Sequence, residues 1–527
     1  MKNSFKISLQ IIAFSVLSVS ATFAQTLKEV IKFTDNEQFE SAQAAFGKLI
    51  KAEPANSNNY FYLGENFFGM EILDSAKMTY QKGIEIDPEN ALNYVGLGKV
   101  QWYQEDAAAK ENFAKAIALS KSKNATVLYK IAEVYIKAPK QNLPEAFILL
   151  NNAAKLEPKN PEIYILMGDA FLEQENGSQA IVYYEKATTL DPNSTKALLR
   201  TGKLYGRAQN FQLAFEYYEK ANAIDSSFAP AYREKAEFYY KDKKLDKAIA
   251  QYQKYLQLND NLSARVRYAS FLFLSKQYPR AISEIQEIQK RDTSRVALYR
   301  LLAYSYYETG DYAAGMANMD KFFQKADNDK VKVAVTDYKY QGRLLSKTNQ
   351  DSLAIISLNK AVAMDSTDAE LYMELGTLYY RNKQYPQAIS ALEKRIVLQK
   401  GASPNDFNAL GRAYFYNKDY AKSDSIFAKI VAAKPDLPLG YLWRARSMAN
   451  LDPDSKLGLA KPHYEAFIQK AEVDVQKNKK DLVDAYSYIA YYSYMHNDLP
   501  NARLYYKKVL ELDPENANAK TFMKEVK

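Results

Sequence analysis

Residues 161–194 read PEIYILMGDAFLEQENGSQAIVYYEKATTLDPNS, and this 34-residue spacing of small, aromatic and proline residues recurs along nearly the whole chain. Counting from Pro161, Tyr164, Met167, Gly168 and Phe171 stand at positions 4, 7, 8 and 11, and Ala180, Tyr184, Ala187 and Pro192 at 20, 24, 27 and 32. Apolar residues three and four apart mark one face of a helix, so each unit predicts two helices joined by a short polar turn. Such a unit cannot bury its apolar face alone, and the recurrence predicts a stack in which each unit packs on its neighbours.

The unit from Ser57 is as regular, with Tyr60, Leu63, Gly64, Phe67, Ala76, Tyr80, Gly83 and Pro88. Further units start at Ala91, Ala125, Thr195, Ala229, Ser263, Val296, Ala369 and Pro404, and others are marked by Tyr338 with Gly342, Tyr441 with Ala445, and Tyr486 with Ala490. The first unit is incomplete, showing Phe39, Ala42, Phe46 and Leu49 behind a stretch without the glycine. Position 8 is Gly or Ala in nearly every unit and position 20 is usually Ala, so the two helices of a unit can approach closely. The proline near each unit's end (Pro88, Pro158, Pro192, Pro514) stops the second helix.

This pattern resembles the tetratricopeptide motif W-x2-L-G-x2-Y…A-x3-F…P, with Tyr164 for Trp and Met167 for Leu. The resemblance covers nearly all of the chain after its first residues. It implies an all-α fold, a right-handed α-solenoid superhelix of about fourteen helix pairs with a C-terminal capping helix, here the last eleven residues with Ala519, Phe522, Met523 and Val526 on one face. It also implies that the first helices line a concave groove that binds peptides or proteins. The terminal-carboxylate clamp of the chaperone-binding members is not matched. Lys196 and Arg200 fit its last pair, but Tyr129, Glu133 and Leu166 stand at the other three positions.

The expected segments are a targeting signal over 1–24, repeats one to nine over 25–329, repeats ten to thirteen over 330–473, a charged linker over 474–482 (DVQKNKKD and Leu482), and a last repeat with its cap over 483–527. Lys2 and Lys6 precede the apolar run Ile7 to Ala24, and the run Ile11 to Val19 is too short for the ~20 residues a membrane span needs. The reading is a secretory signal cleaved near Ala24, leaving a periplasmic or secreted bacterial protein of Bacteroidetes-like composition with no membrane span. The absence of cysteine excludes disulfides, thiolate metal sites and a lipoprotein anchor.

Lys and Arg number 71 against 62 Asp and Glu, mixed along the chain without the basic block that nucleic-acid binders show, so no nucleic acid is expected. The two histidines, His463 and His496, are far apart. Gly96-Leu97-Gly98-Lys99 falls short of a phosphate loop, and Lys456 and Leu457 break the calcium-loop spacing begun at Asp452. No catalytic residue, cofactor or metal site is expected, and the chain reads as a non-enzyme.

Opposite the packing stripe lie positions 2, 5, 6, 9, 12 and 13 of each first helix, which the family exposes on the concave side. From the sixth unit to the twelfth they hold Lys196, Arg200, Lys203, Arg207, Arg233, Arg267, Arg300, Lys339, Arg343, Arg381 and Arg412, interleaved with Tyr240, Tyr304, Tyr307, Tyr380 and Phe415. Lys241, Lys347, Tyr268, Phe271, Tyr340 and Tyr416 extend the set, and Trp102 and Trp443 fall on equivalent positions. Arg pairs carboxylates bidentately and rings offer stacking area, so a basic, aromatic groove is expected to take acidic protein segments. The function so expected is a protein–protein interaction scaffold of the cell envelope, in an outer-membrane, secretion or polysaccharide-export assembly. The alternative is a binder of an anionic glycan.

Overall fold

A computed structural model describes residues 26–328 and 331–525. The expected targeting segment lies outside them. Among the described residues the fold is all-α. Fourteen helix pairs follow one another, from Leu27–Asp35 with Phe39–Ala52 to Val475–Met495 with Leu499–Leu512, and the cap Ala517–Glu525 ends the series. The chain falls into two compact units, one ending at Arg291 and the other beginning at Asp292. The first holds pairs one to eight and the second holds pairs nine to fourteen with the cap.

Local chemistry sets the helix limits. Asn56, Asn90, Asn124, Asn160 and Ser194 each accept a hydrogen bond from a backbone N–H of the first turn they precede. Such caps satisfy donors that the helix itself leaves free. Most turns between the two helices of a pair carry a left-handed residue, at Glu37, Glu71, Glu105, Glu175, Gln209, Lys243 and Lys383 among others, with glycine there at Gly310 and Gly458.

Packing within a pair follows from the small residue at position 8. A Cβ on Gly64 would lie 2.3 Å from Tyr80, one on Gly168 2.4 Å from Tyr184, one on Gly202 2.6 Å from Tyr218, and one on Gly411 2.7 Å from Phe427. The ring at position 24 of the second helix therefore lies across the backbone of the first. Tyr80, Tyr184 and Phe427 are fully buried. The glycines of the faint phosphate-loop match serve the same packing, Gly96 against Tyr80 and Gly98 against Phe113. In the first unit the core runs continuously through Val127, Ile131, Leu150, Ile163 and Met167. In the second, the cap's Ala519 and Phe522 close the apolar surface of the last pair, with Phe522 against Tyr506.

The charged run at 474–482 is helical and does not form a linker. Asp474 caps the 21-residue helix Val475–Met495, and Leu482 is fully buried. The run contains neither Pro nor Gly, and its Lys and Gln are good helix formers, so nothing interrupts the helix once Leu482 anchors it. The loop at 452–459 is built around Asp452, whose carboxylate accepts from the backbone N–H groups of Lys456 and Leu457 at 3.0 Å.

Two substitutions test the packing. Gly168→Leu forces a side chain into the Tyr184 ring and is expected to destabilise the protein by about 1–3 kcal/mol in denaturant unfolding. Gly47, in the helix Phe39–Ala52, has nothing within 4 Å of a built Cβ. Gly47→Ala is expected to stabilise by about 0.5–1 kcal/mol, the ordinary helix-interior difference.

Candidate functional site

The inner positions of the first helices are largely neutralised by ion pairs that step from one unit to the next. In the first unit of the chain, Lys99 meets Glu65 at 3.0 Å, Arg200 meets Asp169 at 2.9 Å, Lys203 meets Glu234 at 3.2 Å and Arg267 meets Glu237 at 2.6 Å. Lys130 joins Glu65 and Glu133, and Lys196 joins Asp35 and Glu162. Burial pushes the Glu133 carboxyl up, but Lys130, Lys137 and Lys99 outweigh it and hold the group well below the usual carboxylate range. Glu65 is lowered in the same way, with burial opposed by Lys99 and Lys130.

The second unit shows the same construction. Arg343 bonds Glu374 at 2.5 Å, Lys339 bonds Asp368 at 2.9 Å, and Arg381 bonds Asp351 at 2.5 Å and Ser346 at 2.7 Å. Arg300 approaches the buried Asp337 at 3.4 Å. Tyr304 is not part of an open surface. It is 7% exposed and its hydroxyl donates to Asp337. Phe271, Tyr268 and Trp443 are likewise buried. Tyr240 stacks on Phe271 at 5.2 Å, with the Arg267 guanidinium over both rings.

The expected continuous basic groove is therefore a ladder of paired charges. Its cations are where the repeat pattern places them, and their partners sit about one repeat away. Tyr307, Arg343 and Arg381 do come together. With Lys347, Met373 and Glu374 they line a cavity of about 310 Å³.

Of the eight arginines expected in the groove, Arg207 and Arg412 have no carboxylate partner among the described residues. Arg207 is exposed at the end of the helix Thr195–Arg207. Arg412 is half-buried on the helix Pro404–Tyr416. Its guanidinium lies 5.4 Å from the Tyr380 ring of the preceding pair and 5.4 Å from the Trp443 ring of the following one. Its Nε is buried with no hydrogen-bond partner. Trp443 is fixed from below by Phe427, stacked at 5.5 Å, and from the side by Phe415 at 5.1 Å. Tyr416, 43% exposed, stacks on Tyr385 at the rim. Position and residue type marked Arg412, Tyr380, Phe415 and Trp443 in the sequence, but the absence of an acid beside Arg412 is visible only in the fold.

Neither histidine lies at such a site. His463 follows the N-terminus of the helix Lys461–Ala471, and His496 stacks on Tyr492 at 4.1 Å.

The tetratricopeptide repeat model matches residues 165–230 and 341–407. The C-terminal part of a TPR repeat-containing protein from Cytophaga hutchinsonii is 38% identical over 48% of this chain and 98% of its own, with a TM-score of 0.42. A tetratricopeptide repeat protein from Parabacteroides merdae is 19% identical over 49% of this chain and 98% of its own, with a TM-score of 0.32. Yeast Tom70 is 13% identical over 77% and 98%, with a TM-score of 0.31. No curated protein matches. With its fourteen pairs, the chain belongs to the tetratricopeptide repeat family. Members of this family bind other proteins and are generally non-catalytic, and the fold here is that of a protein–protein interaction scaffold. No helix of the described residues is long and apolar enough to cross a membrane.

An acid outside the ladder, Asp225 at the end of the helix Phe211–Ile224, gives a pH test. Asp225 is pushed up by burial, but bonds from Ser227, Asn36 and Lys32 outweigh this and hold its carboxyl at about 2. A carboxylate depressed on folding contributes stability above its unfolded pKa of about 3.9 and loses it as pH falls toward the folded value. Hydrogen exchange of residues 27–52, which Asp225 ties down through Lys32 and Asn36, is expected to rise between about pH 4 and pH 2. Asp225→Asn is expected to remove that rise.

Proposed function

We propose that this chain is a non-catalytic scaffold whose second unit seats an acidic segment of a partner protein against Arg412. The observation that carries this reading is that Arg412 stays half-buried between Tyr380 and Trp443 with no acid beside it, while Arg200, Arg233, Arg267, Arg300, Arg343 and Arg381 are each paired. A cation–π contact is worth about 0.5–2 kcal/mol, and it leaves the charge in place. A carboxylate would add charge-assisted hydrogen bonds worth about 1.5–3 kcal/mol. The rings around it would cover the ligand and hold water off the pair.

We also propose that the scaffold works in the cell envelope after export, within an outer-membrane, secretion or polysaccharide-export assembly. The support is the basic, then apolar, then small-residue order of residues 2–24. N-terminal sequencing of the protein recovered outside the inner membrane is expected to begin after Ala24 or Ala21. An intact Met1 there would overturn the export reading.

The chain has two tryptophans, so Trp102→Phe leaves Trp443 as the sole indole beside Arg412. Titration of that variant with a hexaglutamate peptide is expected to change Trp443 fluorescence, with binding that weakens as salt rises. Adding Arg412→Gln is expected to weaken binding by about tenfold or more. Unchanged affinity in that variant would overturn the acidic-segment reading. Binding of a sulfated oligosaccharide in place of the peptide would support the glycan alternative.

A further inference from the structure

The turn that joins the first two helices reaches across the first unit of the chain. Asp35, which ends the first helix, and the turn residues Asn36 and Glu37 touch side chains about 160 to 220 positions further on. The Glu37 carboxylate takes two bonds from Arg233, at 2.6 Å to each oxygen, and one from the Tyr255 hydroxyl at 2.8 Å. Asn259 in turn donates to the Tyr255 oxygen at 2.7 Å, fixing that hydroxyl. The Asn36 amide donates to Asp225 at 2.9 Å and to Ser227 at 3.0 Å and is 3% exposed. Asp35 meets Lys196 at 3.0 Å, and Lys32 meets Asp225 at 2.9 Å.

Among the described residues no hydrophobic cluster joins the two sides of this seam. The hydrophobic cluster of the first pair holds Val30, Ala42, Ala45 and Phe46 with Leu27, Ile31, Phe33, Leu49, Tyr62 and Leu63, and nothing from pairs six or seven. The clusters of pairs six and seven include nothing from the first pair. Contacts between charged and polar tips draw little on the hydrophobic effect, and salt weakens those whose charges stay part-exposed, such as Lys32 and Lys196. The seam's receiving side is nonetheless built in detail. A planar guanidinium and a hydroxyl stand ready for one carboxylate, a carboxylate and a hydroxyl for an amide, and an ammonium for a second carboxylate.

We infer that the pocket formed by Lys196, Asp225, Ser227, Arg233 and Tyr255 is a binding site for an acidic turn, filled here by the chain's own Asp35-Asn36-Glu37, and that a partner segment with the same acid–amide–acid order enters it by displacing that turn. The site lies in the first unit and stands apart from the Arg412 reading, which concerns the second. The partner is recognised by two carboxylates flanking an amide in a tight turn. Glu37 itself has φ of 59°, the left-handed geometry that a segment must adopt to present both acids at once. Asn or Gly in place of Glu37 would reach that geometry more easily but would lose the carboxylate that Arg233 holds.

The test uses the full chain and a fluorescein-labelled peptide covering residues 33–40, FTDNEQFE, read by anisotropy. The wild type should bind it weakly because its own turn fills the pocket. Glu37→Ala frees Arg233 and Tyr255 and loosens the turn's remaining hold through Asp35 and Asn36, and is expected to raise affinity about tenfold, the gain expected when a site filled nine-tenths of the time is freed. Adding Arg233→Met should abolish the gain, and a peptide with Asn for Asp35 and Gln for Glu37 should not bind. In the wild type, excess unlabelled peptide should speed hydrogen exchange over residues 27–52, whether or not the Glu37 variant is well folded. No gain in Glu37→Ala, or exchange unmoved by the peptide, would overturn the inference and leave the seam a purely structural tie. Arg412→Gln is expected to leave this peptide's affinity unchanged, so failure here and failure of the second-unit reading are separable.

Discussion

The missing side chain at position 8 lets the ring at position 24 cross the first helix, and the inner surface is arranged around that crossing. Tyr184 lies over Gly168 and Tyr80 over Gly64, and each ring carries its hydroxyl through to the inner side. There the residue at position 9 receives it, Asp169 from Tyr184 and Glu65 from Tyr80, both at 2.7 Å. The same acids then meet a cation of the next unit, Arg200 on Asp169 and Lys99 on Glu65. In these two pairs a buried packing constraint thus sets an acid on the inner face, and the acid meets the following pair's cation. The charge pattern of the groove continues the core outward.

That linkage explains why the inner surface is less basic in effect than its residue list suggests. Each cation that follows a tyrosine–acid pair is spoken for. Exposed ion pairs are worth little individually, from about zero to 1 kcal/mol, yet these are half-buried and joined in a network, with Lys130 shared between Glu65 and Glu133. Position 24 is Leu358 in the tenth pair and Phe427 in the twelfth, with Arg343 and Arg412 at position 9, but Arg343 meets Glu374 of the next pair whereas Arg412 meets no acid among the described residues. The ladder breaks at that point, where Trp443 covers the ring.

The fold was legible because the spacing of Gly, Ala and aromatic residues is a direct image of helix contact, repeated often enough to fix every unit. The terminal cap was legible for the same reason. The inner surface was legible as a set of positions but not as a set of charges. Arg343 and Glu374 are both visible in the sequence, but whether they meet depends on how far each unit advances on the last. The Arg233–Glu37 contact spans seven units, and no local pattern announces it. Turn chemistry misled in another way. Left-handed turns ordinarily favour Gly or Asn, and this chain uses them at Gly310, Asn349, Gly458 and Asn497 but mostly Glu, Gln and Lys elsewhere, so in most turns the residue types gave no sign of the geometry. The run at 474–482 looked like a linker by its charge, when its lack of Pro and Gly together with Leu482 made it the start of a helix.

Arg233 and Arg412 show what separates a satisfied cation from a receptive one. Arg233 has Glu37 at 2.6 Å and Glu234 at 3.4 Å, so two carboxylates answer one charge. Arg412 has two ring faces at 5.4 Å and no acid. Ring faces orient a guanidinium and shield it from water without neutralising it, so its field is strongest where a ligand's oxygen would arrive. At Arg233 the second acid comes from a distant turn held by polar tips, so removing that turn returns the arginine toward the condition of Arg412, with Glu234 as its one remaining partner. The two arginines differ by two carboxylates, and the chain itself supplies both, Glu234 from the next position and Glu37 from the distant turn.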